Sequence, residues 1–213
     1  MKELALILSK TQMNNGQVCM GGLTWSGRHI RLFDKQENYL PRSVDLAPRQ
    51  ILEIEFIERK NNKLPHVEDI LVLNIGQRES LEDKISVKEF LESKNISIWR
   101  GHPDELFDKL IQWTPTGKGY IDENGGVPSH SVGFWISDKD LKRYDYKGVR
   151  YQYNSRIGWR NIKYKGIEES VPVIPAGTLL RVSLARWKTF NDEEQPKCWL
   201  QLSGWYDLGN RSD

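Results

Sequence analysis

Rings and positive charge are packed together between Lys142 and Lys165, in KRYDYKGVRYQYNSRIGWRNIKYK. Eight of these residues are Lys or Arg, six are Tyr or Trp, and Asp145 is the lone acid. Aromatic side chains can stack on the faces of bases while guanidinium and ammonium groups follow phosphates. The same residue types also suit an ordinary half-exposed strand, because Tyr, Trp and the long basic chains join an apolar body to a polar end. A hairpin turning at Lys147–Gly148 sets Tyr146 opposite Val149, Asp145 opposite Arg150 and Tyr144 opposite Tyr151. The two-residue period of a strand then puts Tyr144, Tyr146, Tyr151 and Tyr153 on one face. That face is either a binding surface or a barrel interior whose charges point outwards, and alternation does not decide between them. As a surface for single-stranded nucleic acid it draws on Tyr144, Tyr146, Arg150, Tyr151, Tyr153, Arg156, Trp159, Arg160 and Lys163, with Arg181 and Arg186 as neighbours.

Other clusters carry less. Trp25, Arg28 and Arg31 repeat the theme, but Arg28 and Arg31 point to opposite faces of a strand and line one groove only if a bulge intervenes. His102-Pro103-Asp104 resembles the loop with which J-domain cochaperones engage their partner. The two long helices that motif needs are missing, so His102 reads as a helix N-cap. Thr116-Gly117-Lys118-Gly119 lacks the second half of a P-loop, although a nest of backbone amides there would suit a phosphate. His29, His66, His102 and His130 have no ligand spacing, so no metal site is expected. Ser129, His130 and Ser131 are adjacent and point apart, with no nucleophile elbow before them. Asp122 and Glu123 are neighbours on a loop. No catalytic residue and no cofactor is expected, and the function is read as noncatalytic binding.

Net charge is only +2 over 213 residues. From Lys142 to Lys188, however, eleven basic residues meet three acidic ones, a local +8 that leaves −6 on the rest of the chain. The local field steers a polyanion more than the total does. Two cysteines, Cys19 and Cys198, cannot make a disulfide framework and read as buried thiols in a reducing cytoplasm. No apolar run approaches a membrane span. The opening MKELALILSK resembles a secretion signal only superficially, since Glu3 heads a short apolar run with no cleavage site after it. It reads as a buried first strand.

The elements that would position these residues are mostly strands. ELALILSK and QVCMGGLTW flank the turn TQMNNG, and residues 26–34, 51–59 and 67–74 alternate or run apolar. In 51–59, Leu52, Ile54 and Phe56 share a face. Helix signals are confined to 86–113: a capping box from Ser86 to Glu89, then PDELFDKLIQW opened by Pro103 with Leu106, Leu110 and Trp113 at helical spacing. Residues 114–130 form a long Gly/Pro-rich loop. Strands resume afterwards and end in a hairpin, TLLRVSLARWK and KCWLQLSGWY around the tip TFNDEEQP, with Cys198, Leu200 and Leu202 on its core face. The fold class is therefore all-β with a short helical insertion, as two small OB-like barrels over 1–113 and 114–213.

Four stretches, LALILSK, GQVCMGGLTWSGRHIRLF, VPVIPAGTLLRVSLARWK and PKCWLQLSGWY, together resemble the bacterial dual-OB domain family over nearly the whole chain. Lys188 departs from the pattern, standing after Trp187 where a second aromatic would be expected. The resemblance implies two OB-type barrels and inferred nucleic-acid binding, RNA or DNA, with no agreed catalytic residues. It also leaves a rival open: a protein-docking module of a bacterial defence or mobile-element system. A binder of a small nucleotide or signal molecule, using 114–130, is the third reading.

Overall fold

The computed structural model describes residues 1–13, 16–81, 85–156, 158–189 and 195–206, the side chains of 77 and 78 aside. Most of the tip TFNDEEQP and part of the turn TQMNNG lie outside the described residues. The chain divides into two compact units, Met1–Ile96 and Ser97–Asp213. The division falls between Ile96 and Ser97, whereas the sequence places the end of the first barrel at Trp113.

The first unit has strands β1 (Lys2–Gln12), β2 (Gln17–Thr24), β3 (His29–Phe33), β4 (Leu40–Pro41), β5 (Gln50–Glu58) and β6 (Asp69–Ser80), then helix α1 (Val87–Ser93). β1 is long enough to pair twice, through Lys2–Leu6 with β5 and through Ala5–Gln12 with β2. β2 pairs with β3, β3 runs parallel to β6, and β6 returns to β5. The ring β1-β2-β3-β6-β5-β1 is a closed five-stranded Greek-key barrel of the OB type. Its core follows the alternation of the sequence: Leu52, Ile54 and Phe56 meet Ala5, Ile7, Met20, Ile30, Leu32 and Ile70. At α1 the Ser86 hydroxyl accepts from the Glu89 amide and the Glu89 carboxylate accepts from the Ser86 amide, the expected capping box.

The second unit has β7 (Ile98–Gly101), a 3-10 turn (Pro103–Lys109), β8 (Gln112–Trp113), β9 (Gly119–Ile121), β10 (Val132–Ser137), β11 (Leu141–Asp145), β12 (Val149–Ser155), β13 (Gly158–Tyr164), β14 (Val173–Ile174), β15 (Leu179–Leu184) and β16 (Cys198–Tyr206). β10 and β11 act as one long strand interrupted at 138–140: β10 pairs with β15 and β11 with β12. β12 pairs with β13, β13 runs parallel to β16, and β16 returns to β15. The strand order of the first barrel is thus repeated, including the parallel pair. β7 adds a parallel strand outside β10, and β9 adds to the start of β16.

Among the described residues helix is confined to the interval the sequence marks, but the segment from Pro103 is not an α-helix. It is a short 3-10 turn in which Phe107, Asp108 and Lys109 take left-handed φ values of 51°, 57° and 69°. Leu106 and Phe107 are fully buried, Phe107 with its ring centroid 4.9 Å from that of Trp99, so packing overrides helical spacing. His102 does cap the turn, its Nδ1 accepting from the Asp104 amide at 3.2 Å. Cys198, Leu200 and Leu202 face the core, as the alternation of β16 requires. Cys198 is buried, but Cys19 is only half-buried. Among the described residues no helix is long and apolar enough to cross a membrane.

Candidate nucleic-acid interface

The hairpin that carries the basic-aromatic cluster turns one residue differently from the sequence reading. Asp145 pairs with Val149, so the loop is Tyr146-Lys147-Gly148, with Lys147 at φ 52° and Gly148 at φ 97°. A three-residue loop of this kind is a common alternative to the two-residue turn. Arg143 now faces Tyr151 and Tyr144 faces Arg150. A shift of one residue inverts every pairing of faces, so the four tyrosines do not share a surface. Tyr151 and Tyr153 are fully buried in the core. The Tyr151 hydroxyl donates to the Val171 carbonyl at 2.8 Å and that of Tyr153 to Asp138 at 2.9 Å. Burial, with the Asp138 carboxylate second, pushes the Tyr153 phenol well above its usual range. These two rings belong to the packed interior, which corrects their placement on a stacking face.

The outer face carries Tyr144 from β11, Arg150 from β12, and Trp159, Asn161 and Lys163 from β13; Lys163 is the cross-strand partner of Arg150, and Gln201 of β16 is the partner of Lys163. Arg150, Asn161, Lys163 and Gln201 of this row floor a cleft of about 680 Å³. Its walls come from chain-distant places: Thr114, Lys118 and Gly119 on one side, and Ala185, Arg186, Lys188, Lys197, Trp199 and Leu200 on the other, with Lys165 beyond Lys163. Seven cationic side chains line it, and among the described residues no carboxylate does. Trp199 supplies a half-buried ring, backed by Tyr120 at a centroid distance of 5.5 Å, and the Lys197 ammonium sits 4.8 Å from the Tyr120 ring centroid.

Arg150 is buried, and its hydrogen-bond partners are neutral. Its Nε donates to the Tyr146 carbonyl at 3.1 Å and its Nη1 to Asn161 Oδ1 at 3.0 Å. Asn161 in turn donates from Nδ2 to the Thr116 carbonyl at 2.6 Å and from its backbone to the Gly117 carbonyl at 2.7 Å. Burial, and after it the like charges of Lys165, Arg150 and Lys118, hold the Lys163 ammonium below the ordinary lysine range. The Thr116–Gly119 loop is not an open nest: its Gly117 amide donates to the Thr114 carbonyl and its Lys118 amide to the Thr114 hydroxyl. Gly117, at φ 71°, lies so close to Trp159 that a Cβ would come within 2.8 Å of the ring.

Of the sequence-marked residues, Arg150, Lys163 and Arg186 meet in the cleft. Tyr144 lies on the same face, half-buried; Tyr146, Arg156 and Trp159 are exposed on the hairpin loop, the following turn and β13. Arg160 points away, stacked 4.9 Å over Trp113 and bonded to Asp104. Arg181 is buried on β15. Lys118, Asn161, Lys165, Lys188, Lys197, Trp199 and Gln201 also line the cleft without being assigned to it by the sequence, although Lys118 stands in the Thr116–Gly119 stretch, Asn161 and Lys165 in the Lys142–Lys165 cluster, and Lys188 at the end of the +8 segment. For Trp199 and Gln201 the available signal is their place opposite the core face of β16. In the first barrel, Arg28 is paired fork to fork with Glu58, while Arg31 is buried against Asp69 at 3.3 Å.

Residues 4–205 match the family model of the dual OB-containing domain. No curated protein matches the chain. A solved structure of a murine DNA binding protein bound with ds DNA aligns over 100% of this chain and 99% of its own, at 12% identity and a TM-score of 0.34, a likeness that carries no argument. The two OB-type rings and the match along nearly the whole sequence agree: the chain belongs to the dual OB-containing domain family.

Proposed function

We propose that the protein is a noncatalytic binder of single-stranded nucleic acid, RNA or DNA, and that the cleft of the second barrel is its site. The observation that carries this reading is the state of Arg150: it is buried in a cleft lined by seven cations, and it is held by neutral acceptors, the Tyr146 carbonyl and Asn161 Oδ1. A buried charge without a counter-ion is costly. A phosphate backbone supplies the missing anions, and Trp199 offers a face on which a base can stack. Arg150, Lys163 and Arg186 then meet phosphates with Lys118, Lys165, Lys188 and Lys197, while Tyr144, Tyr146, Arg156 and Trp159 border the path. A chain of 213 residues with only two cysteines accords with a reducing compartment such as the cytoplasm.

The test is fluorescence anisotropy with labelled single strands and a duplex of the same sequence. The expected result is micromolar or tighter binding of single strands, weakening with salt at a log–log slope of about −0.7 per phosphate contact. Anisotropy that does not change at low salt overturns the reading and turns attention to a docked protein or a small nucleotide. Tighter binding of the duplex overturns its single-strand part.

A further inference from the structure

We infer that Arg150 and Lys163 form a built subsite for one phosphate group at the cleft floor, and that Asn161 is its positioning residue. The inference rests on the proposed function for the identity of the polymer, but the anion itself is read from the geometry. A guanidinium has five N–H donors. Two of those on Arg150 are held, one by the Tyr146 carbonyl and one by Asn161 Oδ1, on opposite sides of the group. The side chain is thereby fixed while its remaining donors and its full charge are left for a ligand. Lys163 lies directly across the strand pair. Like charges set opposite each other in a sheet are destabilising, and a phosphate between them removes that cost.

Asn161 is the side chain that can do this. It is buried, and both ends of its amide are used: the oxygen faces the guanidinium, and the nitrogen faces the Thr116 carbonyl. Turning the amide over would put NH₂ against the guanidinium and oxygen against oxygen, so its orientation is settled. An aspartate would hold Arg150 equally well but cancel its charge and lose the bond to Thr116. The neutral amide holds without neutralising. The tie between the loop carrying Lys118 and the strand carrying Lys163 is made separately by the backbone, through the parallel bridge of Lys118 with Asn161 and the bond from the Asn161 backbone amide to the Gly117 carbonyl, and does not depend on the side chain.

The test is a double-mutant cycle on the full chain with Asn161→Ala, Arg150→Met and the pair. Binding is measured to a labelled single strand by anisotropy and to inorganic tripolyphosphate by calorimetry. Each single variant is expected to lose about tenfold or more in affinity, the loss of one charge-assisted contact. Asn161→Ala is expected to cost nothing further once Arg150 is gone, because it acts through that residue. Losses that multiply, or wild-type affinity in folded Asn161→Ala, overturn the subsite. Should Asn161→Ala fail to fold, Asn161→Asp keeps the bond to Arg150 while neutralising it. Its salt slope must flatten by about 0.7, and an unchanged slope overturns the inference. Tripolyphosphate binding that follows this pattern without any binding of the single strand sinks the polymer and keeps the subsite. Binding of neither probe sinks both.

Discussion

The two barrels share a strand order, yet a buried arginine of each, Arg31 in the first and Arg150 in the second, is held in opposite ways. In the first barrel the arginines around β3 meet carboxylates. Arg28 is paired with Glu58, and Arg31 and Arg59 share the fully buried Asp69 at 3.3 and 3.1 Å. In the second, Arg150 is equally buried but is held by an amide and a carbonyl, and lysines surround it. Composition alone does not tell these cases apart. What separates a structural cation from a binding one is whether the fold supplies its counter-charge.

The largest expected effect lies on the structural side. Asp69→Ala leaves Arg31 buried without its carboxylate and should cost about 3–5 kcal/mol in urea denaturation. A loss below 1 kcal/mol would mean that the first barrel does not depend on its ion pairs, and the contrast would fail. Arg150→Met should behave in the reverse sense. Stability should change by no more than about 1 kcal/mol, while single-strand binding weakens by roughly 1.5–3 kcal/mol. Greater loss of stability than of affinity would make Arg150 structural as well.

Lys163 sharpens the comparison through pH. In the free protein burial and its cationic neighbours lower its pKa from 10.5, and a bound anion opposes that shift. Affinity should therefore fall as pH rises through the lowered value, before an ordinary lysine gives up its proton. Lys163→Arg, which stays charged, should abolish that early fall. An identical pH profile in the variant would remove Lys163 from the site. The smallest effect belongs to Glu58→Gln: the Arg28–Glu58 pair is largely exposed and should contribute about 0.2–1 kcal/mol, with no change in single-strand affinity.

Much of the fold was legible because period-2 alternation and capping chemistry are local. Leu52, Ile54 and Phe56 face inward as their spacing requires, and Ser86–Glu89 opens a helix. The hairpin register was not legible, because a two-residue and a three-residue turn at Tyr146–Gly148 differ by a loop residue that no side chain announces. That single step sent Tyr151 and Tyr153 into the core. Pro103–Lys109 failed for another reason: its helical spacing was real, but burial of Leu106 and Phe107 decided the backbone. The cleft was half visible. Arg150 and Lys163 stand in the cluster that drew attention first, whereas Lys118, Lys188, Lys197 and Trp199 come from separate segments that only barrel closure brings together.

That closure has a consequence in time. The cleft straddles the parallel pair β13–β16, where Lys163 meets Gln201. Parallel partners far apart in sequence carry a large loop-closure entropy, so such pairings form slowly and late. The hairpin β11–β12, by contrast, joins near neighbours and can form early. A nascent or partly folded chain thus has all its cations but not the floor that gathers them. On the proposed function, ligand capture would wait until the last seam of the barrel has zipped, and a polyanion bound there would favour the closed state by mass action.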